Sequence, residues 1–343
     1  MAANHFPEIC DLTSPTYDVV AIGNAIVDIL AQSTDEFIAA EGMTKGSMAL
    51  IFDPAAADDL YSRMGPGQEV SGGSAANTIA GLASLGQPTG FIGQIADDQL
   101  GKVFAHDVQS LGVHFATPPA TGGDPTARCL ILITPDGQRT MNTFLGAAQY
   151  LPESAVDAET IGAGAILYLE GYLWNAEQSR DAMKRAIALA RDAGRKVALT
   201  LSDTFVVEGH RDEFFELIDA GQIDLLFAND SEVRSMMQTD DIAAAVTGLA
   251  ARVPTLVCTH GPKGAEAHHA DEHARVPAEP IDHVVDTTGA GDLFAAGFLA
   301  GQAQGRDLET SLRMGAICAA ECISHVGPRP LADLKALVAS KLG

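Results

Sequence analysis

Short apolar runs alternate with amphipathic segments along most of the chain. Six of these runs, several of them rich in β-branched residues, have the length and continuous hydrophobicity of buried parallel strands. They are Tyr17–Asn24, Phe91–Ile95, Ala165–Tyr172, Val197–Leu201, Asp224–Ala228 and Thr255–Thr259. Between them, apolar residues recur at helical spacing, as at Phe104, Val108 and Leu111. The alternation predicts an α/β fold with a doubly wound, mostly parallel sheet flanked by helices, in which ligands bind at the carboxyl ends of the strands.

Two segments break this alternation. Residues 31–51 and 127–144 have the patterns of short strands and a hairpin, and Pro135-Asp136-Gly137 supplies a turn in the second segment. No change in composition and no linker separates two halves of the chain. We therefore predict a single domain over residues 1–343, with a small β-strand lid built from about 31–51 and 127–144.

The charge balance narrows the range of partners. The 343 residues include 45 acidic and 21 basic side chains, which give a formal net charge of −24. A chain of this charge lacks the positive field that attracts nucleic acids and anionic membranes, so we expect neither as a partner. A small nucleotide stays possible, because backbone amides and magnesium can hold phosphates locally.

Targeting signals and cysteine motifs are missing from the sequence. Residues 1–15 contain no apolar run of the signal-peptide kind, and no apolar stretch reaches the length of a membrane span. We therefore expect a cytoplasmic protein. The cysteines form no CxxC pair, which argues against a disulfide framework or a zinc site; they are Cys10, Cys129, Cys258, Cys318 and Cys322. We expect Cys318 and Cys322, four residues apart on a predicted helix, to be core residues.

The segment VVDTTGAGDLFAAGF, residues 284–298, carries the strongest chemical signal. Its glycines, Gly289 and Gly291, flank Ala290 just before an apolar helix, where backbone N–H groups can approach an anion. Asp292 follows directly, and a carboxylate beside such a site suits a base that takes a proton from an attacking hydroxyl. The alternative, which the motif alone leaves open, is that Asp292 caps a helix behind a Gly-rich turn.

Three further polar segments lie at predicted strand ends or helix starts. Gly72 and Gly73 precede a helix whose first turns include Asn77, an amide able to bind a hydroxylated ligand. The other two are Asn229–Glu232 and Thr259–Gly264. No GxxxxGK[ST] motif occurs, and residues 23–26 fail the GxGxxG pattern, which excludes a P-loop and a dinucleotide fold.

Taken together, GGSAAN at residues 72–77 and DTTGAGD at residues 286–292 resemble, in this order, the signature regions of the ribokinase-like (PfkB) carbohydrate and nucleoside kinases. The resemblance covers residues 17–330. It implies a ribokinase-like fold, ATP and Mg²⁺. It also implies that Asp292 is the catalytic base and that Gly289, Ala290 and Gly291 form an anion hole.

The resemblance extends to the nucleotide and metal sites. It implies a magnesium and phosphate role for Asn229 and Glu232, with Glu232 acting through water. It places Thr259, Gly261 and Gly264 near ATP. Where the family has a potassium site, the matching residues are Asp286 and Thr288.

Within the family, Gly23 to Asp28 resembles the start of adenosine kinases. This resemblance implies a substrate site; its residues are Asn24, Asp28, Gly72, Gly73 and Asn77. Arg139, after the lid turn, is a candidate to cover the transferred phosphate, against the alternative of a solvated hairpin residue. Phe144 and Phe205 are candidates to stack on a base, against the alternative of plain core residues.

The expected function is therefore ATP-dependent phosphorylation of the 5′-hydroxyl of a ribonucleoside, with adenosine, converted to AMP, as the favoured substrate. A sugar kinase acting on ribose, fructose or a related sugar is the first alternative, and a non-catalytic nucleoside-binding protein is the second. A monomer and a homodimer are both open. His268, His269 and His273 invite a metal-site interpretation, but we interpret their segment as a solvated turn between strands.

Overall fold

The computed structural model describes residues 15–343. Residues 1–14, which include Cys10 and nearly all of the N-terminal segment discussed above, lie outside the described residues. The strands are β1 (Tyr17–Ile22), β2 (Ile26–Gln32), β3 (Met48–Ile51), β4 (Gly67–Gly72), β5 (Thr89–Ile92), β6 (Ala127–Ile133), β7 (Arg139–Phe144), β8 (Gly164–Glu170), β9 (Lys196–Thr200), β10 (Leu225–Asn229), β11 (Thr255–Thr259), β12 (Ala265–His269) and β13 (Glu272–Val276). The helices are α1 (Asp35–Ala40), α2 (Pro54–Arg63), α3 (Ser74–Ser84), α4 (Gln99–Ser110), α5 (Ala158–Ala163), α6 (Glu177–Asp192), α7 (Thr204–Asp219), α8 (Asp230–Met237), α9 (Ile242–Ala250), α10 (Ala290–Ala303), α11 (Leu308–Cys322) and α12 (Leu334–Leu342).

The larger sheet has the order β13-β12-β11-β10-β9-β8-β1-β5. Its six strands from β11 to β5 are parallel and correspond to the six predicted apolar runs. Successive residues of β1 enter different cores: Val19 and Ala21 pack on one face of the sheet, and Val20 and Ile22 pack on the other. A strand covered by helices on both faces has no polar side, which is why the sequence shows continuous apolar runs. The predicted doubly wound α/β fold is confirmed.

A second sheet of five strands, in the order β3-β7-β6-β2-β4, stands apart from the first. Its pairing is mixed, with β2 parallel to β6 and antiparallel to β4. The predicted lid segments 31–51 and 127–144 both contribute, but the sheet also contains the start of β2 and all of β4. Residues 35–40 are helical rather than extended, because Thr34 caps α1 by accepting a hydrogen bond from the N–H of Phe37.

The larger sheet ends in an antiparallel hairpin formed by β12 and β13. The prediction of a solvated turn for the histidine segment is wrong in this respect: His268, His269 and His273 lie on the paired strands. Only two residues form the turn, and the first of them, Ala270, has a φ of +50°. A turn this tight leaves the neighbouring residues free to continue the strand pairing.

Helix starts differ in a way that matters for the site. In nine of the twelve described helices, an Asp, Asn or Thr side chain accepts a hydrogen bond from a first-turn N–H. Helices α3 and α10 instead begin after Gly73 and Gly289, which have positive φ values and offer no capping side chain. Their first N–H groups are therefore left for other acceptors.

Two further findings concern the cysteines and the character of the helices. Cys318 and Cys322 are fully buried in the core beside α10, as predicted. Within residues 15–343, none of the helices combines the length and the apolar character needed to cross a lipid bilayer.

Candidate active site

A cavity of about 400 Å³ lies between the carboxyl ends of the parallel strands and the second sheet. The floor is formed largely by the starts of α3, α8 and α10. Residues with alternate spacing on β2, β6 and β7 form the facing wall, because alternate side chains of a strand share one face. The wall residues are Ile26, Asp28, Cys129, Ile131, Met141 and Thr143.

Asp292 lies on the floor of this cavity, in the first turn of α10. Its two carboxylate oxygens accept hydrogen bonds from Ser74 Oγ at 2.7 Å and from Asn77 Nδ2 at 2.9 Å. Burial raises the pKa of Asp292 to about 6, although these hydrogen bonds and the charge of Arg329 act in the opposite direction. The structure thus brings together Asp292 and Asn77, which are widely separated in sequence, and adds Ser74, which we did not predict.

Gly289 and Gly291 differ in what a side chain at each position would contact. Gly289 has a φ of +78°, and a Cβ at this position would lie within 2.8 Å of Pro328. A side chain there is excluded by the fold itself. A Cβ on Gly291 would meet no atom within 4 Å, and Gly291 lines the cavity together with Gly289 and Ala290. The N–H of Ala290 donates to the carbonyl oxygen of Thr287 at 3.2 Å, and no side chain caps the N–H groups of Gly291 and Asp292, which leaves them for an anion.

Asp28 lies on the facing wall, next to the glycine pair before α3. A Cβ on Gly72 would lie within 2.7 Å of the Asp28 carboxylate, so only glycine allows this approach. Burial raises the pKa of Asp28 to about 7, against the opposing charges of Arg329 and Arg139. Gly73 lines the cavity, and its φ is +99°.

Arg329 binds the backbone on either side of Gly72 and Gly73, and sequence reasoning did not identify it. Its guanidinium donates to the carbonyl oxygen of Ser71 at 2.7 and 2.9 Å and to that of Ala76 at 2.8 Å. The contact ties the segment after α11 to the start of α3. The hydroxyl of Ser71 also accepts, at 3.0 Å, but the other acceptors are backbone atoms, which no sequence pattern marks.

Glu170, at the carboxyl end of β8, is a second residue that we did not predict. It is 1% exposed and accepts hydrogen bonds from Asn24 Nδ2 at 2.6 Å and from the N–H of Ala75 at 2.8 Å. Burial raises its pKa to about 7. Asn24 therefore binds Glu170 rather than lining the cavity, which corrects its predicted place in the substrate site. The signal available in the sequence was a carboxylate ending an otherwise apolar strand.

Arg139 is not the solvated hairpin residue of the alternative interpretation, and its role over the transferred phosphate stays a prediction. It is buried, and its Nη1 lies 2.8 Å from Asp286 Oδ2, while its Nε and Nη2 find no acceptor among residues 15–343. Asp286 also accepts hydrogen bonds from Thr288 Oγ1 at 2.7 Å and from the N–H of Gly327 at 2.9 Å. The guanidinium thus supplies the positive charge beside Asp286. Asp286 and Thr288 do not fit a potassium site in this arrangement.

Asn229 and Glu232 form a reciprocal cap at the start of α8. Asn229 Oδ1 accepts from the N–H of Ser231 and of Glu232, and Glu232 Oε2 accepts from the N–H of Asn229 at 2.9 Å. Burial raises the pKa of Glu232 to about 7. Glu232 lines the cavity, and each carboxylate oxygen retains a second lone pair that can accept from water. The residues fit a magnesium ion that keeps its water shell.

The predicted nucleotide residues after β11 divide into two groups. Thr259 lines the cavity, whereas Gly261 and Gly264 lie in the connection beyond it. A Cβ on Gly264 would lie 1.9 Å from the carbonyl oxygen of Val276, so the fold alone requires this glycine.

Phe144 does not reach the cavity. It lies on the same strand as Met141 and Thr143, which line the cavity, but its position in the alternation places its side chain on the opposite face, near Arg128. The rings that do line the cavity belong to Tyr168, Tyr172, Phe227 and Phe294. Phe205 is 42% exposed and packs near Tyr172 instead.

Comparisons with known proteins identify the family. The model of the pfkB family of carbohydrate kinases matches residues 33–334. The chain belongs to this family. It is a phosphotransferase that acts on an alcohol group, so the alternative of a non-catalytic nucleoside-binding protein falls away.

Similar proteins include nucleoside and sugar kinases. The structure of the adenosine kinase of Sinorhizobium meliloti is 45% identical, with a TM-score of 0.87, and the match covers 95% of this chain and 99% of that one. A probable sugar kinase from Rhizobium etli is 43% identical, with a TM-score of 0.88 and the same coverage. The adenosine kinase of Saccharomyces cerevisiae is 28% identical over 336 residues, which cover 91% of this chain and 96% of the yeast protein.

Proposed function

We propose that this kinase transfers the γ-phosphoryl group of ATP to the 5′-hydroxyl of adenosine and releases AMP and ADP. The observation that carries the proposal is the position of Asp292, at an uncapped helix start that opens into the cavity. A base and a set of anion-binding N–H groups are adjacent there. Phosphoryl transfer to an alcohol needs both groups at one point.

Asp292 would act as the general base. With a pKa of about 6 it is mostly ionised at neutral pH, yet it is more basic than an ordinary carboxylate. The attacking oxygen forms a bond to the γ-phosphorus, the bond to the bridging oxygen of ADP breaks, and the hydroxyl proton passes to Asp292. The first N–H groups of α10 would stabilise the charge on the phosphoryl oxygens.

The substrate hydroxyls would be held between the floor and the wall. Asn77 Oδ1 is buried without a hydrogen-bond donor among the described residues, although its amide nitrogen is engaged by Asp292. A ribose hydroxyl would satisfy this oxygen. We propose that Asp28, opposite, accepts from the same sugar, and that Gly72 and Gly73 allow its close approach.

ATP would lie along the carboxyl ends of β10 and β11. In the proposal, Thr259, Gly261 and Gly264 contact the nucleotide. Asn229 and Glu232 would hold Mg²⁺ through its water shell, and the ion would offset repulsion between the phosphates and the carboxylates. Arg139 would turn its unpaired N–H groups toward the transferred phosphoryl group, which supplies the acceptors that they lack.

A nucleoside is favoured over a free sugar on two grounds. Tyr168, Tyr172 and Phe227 give the cavity aromatic surface that a base can contact. In addition, proteins called adenosine kinases match nearly the whole chain. The Rhizobium protein keeps the sugar kinase as the second candidate.

A turnover panel separates these candidates. Purified protein with ATP and Mg²⁺ is offered adenosine, inosine, ribose, fructose or fructose phosphate, and ADP release and thermal stabilisation are measured. We expect adenosine to raise both signals and to yield AMP. Preferential turnover of a free sugar would overturn the adenosine assignment, and Asp292→Asn serves as the matched inactive control.

The cytoplasmic location, the single-domain organisation with a closing lid, and the monomeric or dimeric state remain predictions.

A further inference from the structure

The β12–β13 hairpin carries a group of potential metal ligands that the proposed reaction does not use. Glu266 and His268 are two residues apart on β12, and His273 pairs with His268 across the hairpin. Glu266 Oε2 lies 3.2 Å from His268 Nε2 and 2.8 Å from His273 Nε2. The three potential ligand atoms lie within 4.8 Å of one another. Three side chains from two strands therefore converge on one point at the surface.

The carboxylate in this group is held in place by a second layer of contacts. Glu266 Oε1 faces His260 Nε2 at 2.9 Å, and His260, which is buried, pairs through its Nδ1 with Asp230. Metal-ligating side chains in proteins are commonly oriented by such outer partners. The Asp230–His260 pair thus fixes one oxygen of Glu266 and leaves the other directed at the two imidazoles.

We propose that Glu266, His268 and His273 bind a divalent transition-metal ion of the Zn²⁺ type. Two imidazole nitrogens and one carboxylate oxygen are ligands that Zn²⁺ accepts, and the half-exposed position of His273 leaves room for water as a fourth ligand. Mg²⁺ prefers an all-oxygen octahedral shell and is not expected here. This site is independent of the proposed adenosine kinase activity.

The neighbouring histidine provides a matched control. His269 follows His268 directly, but its side chain points to the other face of the sheet, where Nδ1 lies 2.7 Å from Thr255 Oγ1. Substitution of His269 removes one histidine from the same hairpin without touching the three ligands. A second control is Cys258, which with Asp230 and His260 forms the other group of potential ligands in the described residues.

The test is calorimetric titration of the untagged full-length chain with Zn²⁺ alone, without ATP, which would itself bind the ion. We expect one equivalent to bind, an affinity loss of at least about tenfold in His268→Ala and in His273→Ala, and affinities close to wild type in His269→Ala and Cys258→Ser. Mg²⁺ should give no binding at this site. Circular dichroism and thermal melts of each variant confirm that the hairpin variants remain folded.

Two results would overturn the proposal. One is an affinity for Zn²⁺ that stays at the wild-type value in folded His268→Ala and His273→Ala. The other is loss of the ion in Cys258→Ser but not in those two variants, which would assign binding to the buried group around His260.

Discussion

Helices α8 and α10 both begin at the cavity, and both carry a carboxylate three residues after the capping position. In α8 that carboxylate is Glu232, and in α10 it is Asp292. The capping residue is Asn229 in the first helix and Gly289 in the second. Glu232 turns back to its own cap, whereas Asp292 turns away to Ser74 and Asn77.

The difference shows how one side-chain position can serve either structure or chemistry. Asn229 occupies the N–H groups of its helix and engages the carboxylate, so α8 has a closed start. Gly289 has no side chain to do either, so no side chain caps the N–H groups of Gly291 and Asp292, and the Asp292 carboxylate binds Ser74 and Asn77 at the cavity instead of its own helix start. Helix α10 lacks the stabilisation of a side-chain cap, and for this reason N–H groups in its first turn can bind an anion.

The largest effect should follow from Asp292→Asn. The substitution keeps the shape of the side chain but removes its ability to take a proton, so kcat should fall by about 10²–10⁴-fold while nucleotide binding persists. Steady-state kinetics and equilibrium ATP binding measure the two properties. Asp241→Asn at the start of α9 is the matched control, because it makes the same substitution at a first-turn cap that does not line the cavity. Equal losses of kcat in the two variants would contradict the assignment of the base to α10.

Substitution of the two glycines of α10 should separate folding from catalysis. Gly291→Ala meets no protein atom, so we expect unchanged thermal stability, but its methyl group would intrude on the anion site and lower kcat by roughly tenfold or more, less than the loss of a whole oxyanion donor. Gly289→Ala meets Pro328 and adopts a left-handed φ, so it should lower the free energy of unfolding by at least about 1–2 kcal/mol. Thermal melts and kcat are measured for both variants. An unstable Gly291→Ala variant would show that this glycine is structural.

The sequence predicted the larger sheet better than the second sheet for a physical reason. Parallel strands buried on both faces must be apolar at every position, whereas β4 has the sequence GQEVSG and is exposed at its start. Its register depends on pairing with β2, which no local pattern in β4 indicates.

Within the site, motifs located the residues but not their partners. Asp292 and Asn77 were predicted separately, and only the fold shows that they share a hydrogen bond. Arg139 was predicted to follow the lid turn, but its pairing with Asp286 depends on how the two sheets meet. Phe144 was predicted from its residue type alone. Its neighbour Thr143 lines the cavity, and because successive side chains of a strand point to opposite faces, the ring of Phe144 lies on the face away from the cavity.

The pH dependence of catalysis tests whether the carboxylates of Asp292 and Glu232 differ in function. Asp292 must be ionised to act as a base, and its pKa is raised to about 6, so kcat/KM should fall as the pH drops through about 6, by roughly tenfold or more per pH unit because Asp28, with a pKa raised to about 7, also loses its charge. Profiles between pH 5 and 8 measure this, with the stability of the protein checked at each pH. The residual rate of Asp292→Asn should lack the part of the decline centred near pH 6, and Glu232→Gln should keep it. A decline centred near the ordinary pKa of an aspartate would show that burial does not tune this group.

The smallest effect should follow from removal of the side-chain cap at the start of α8. Asn229→Ala removes the acceptor for two N–H groups and should lower the free energy of unfolding by about 1 kcal/mol, or the melting temperature by about 1–2 °C for a chain of this length. Asp241→Ala at the start of α9 is the matched control, because Asp241 caps two N–H groups in the same way but does not line the cavity. Both variants should lose similar stability, and only Asn229→Ala should also raise the KM for ATP, since its loss frees Glu232 from the geometry that faces the nucleotide. If the two variants had the same KM, the cap of α8 would be purely structural, and the catalytic use of a helix start would be confined to α10.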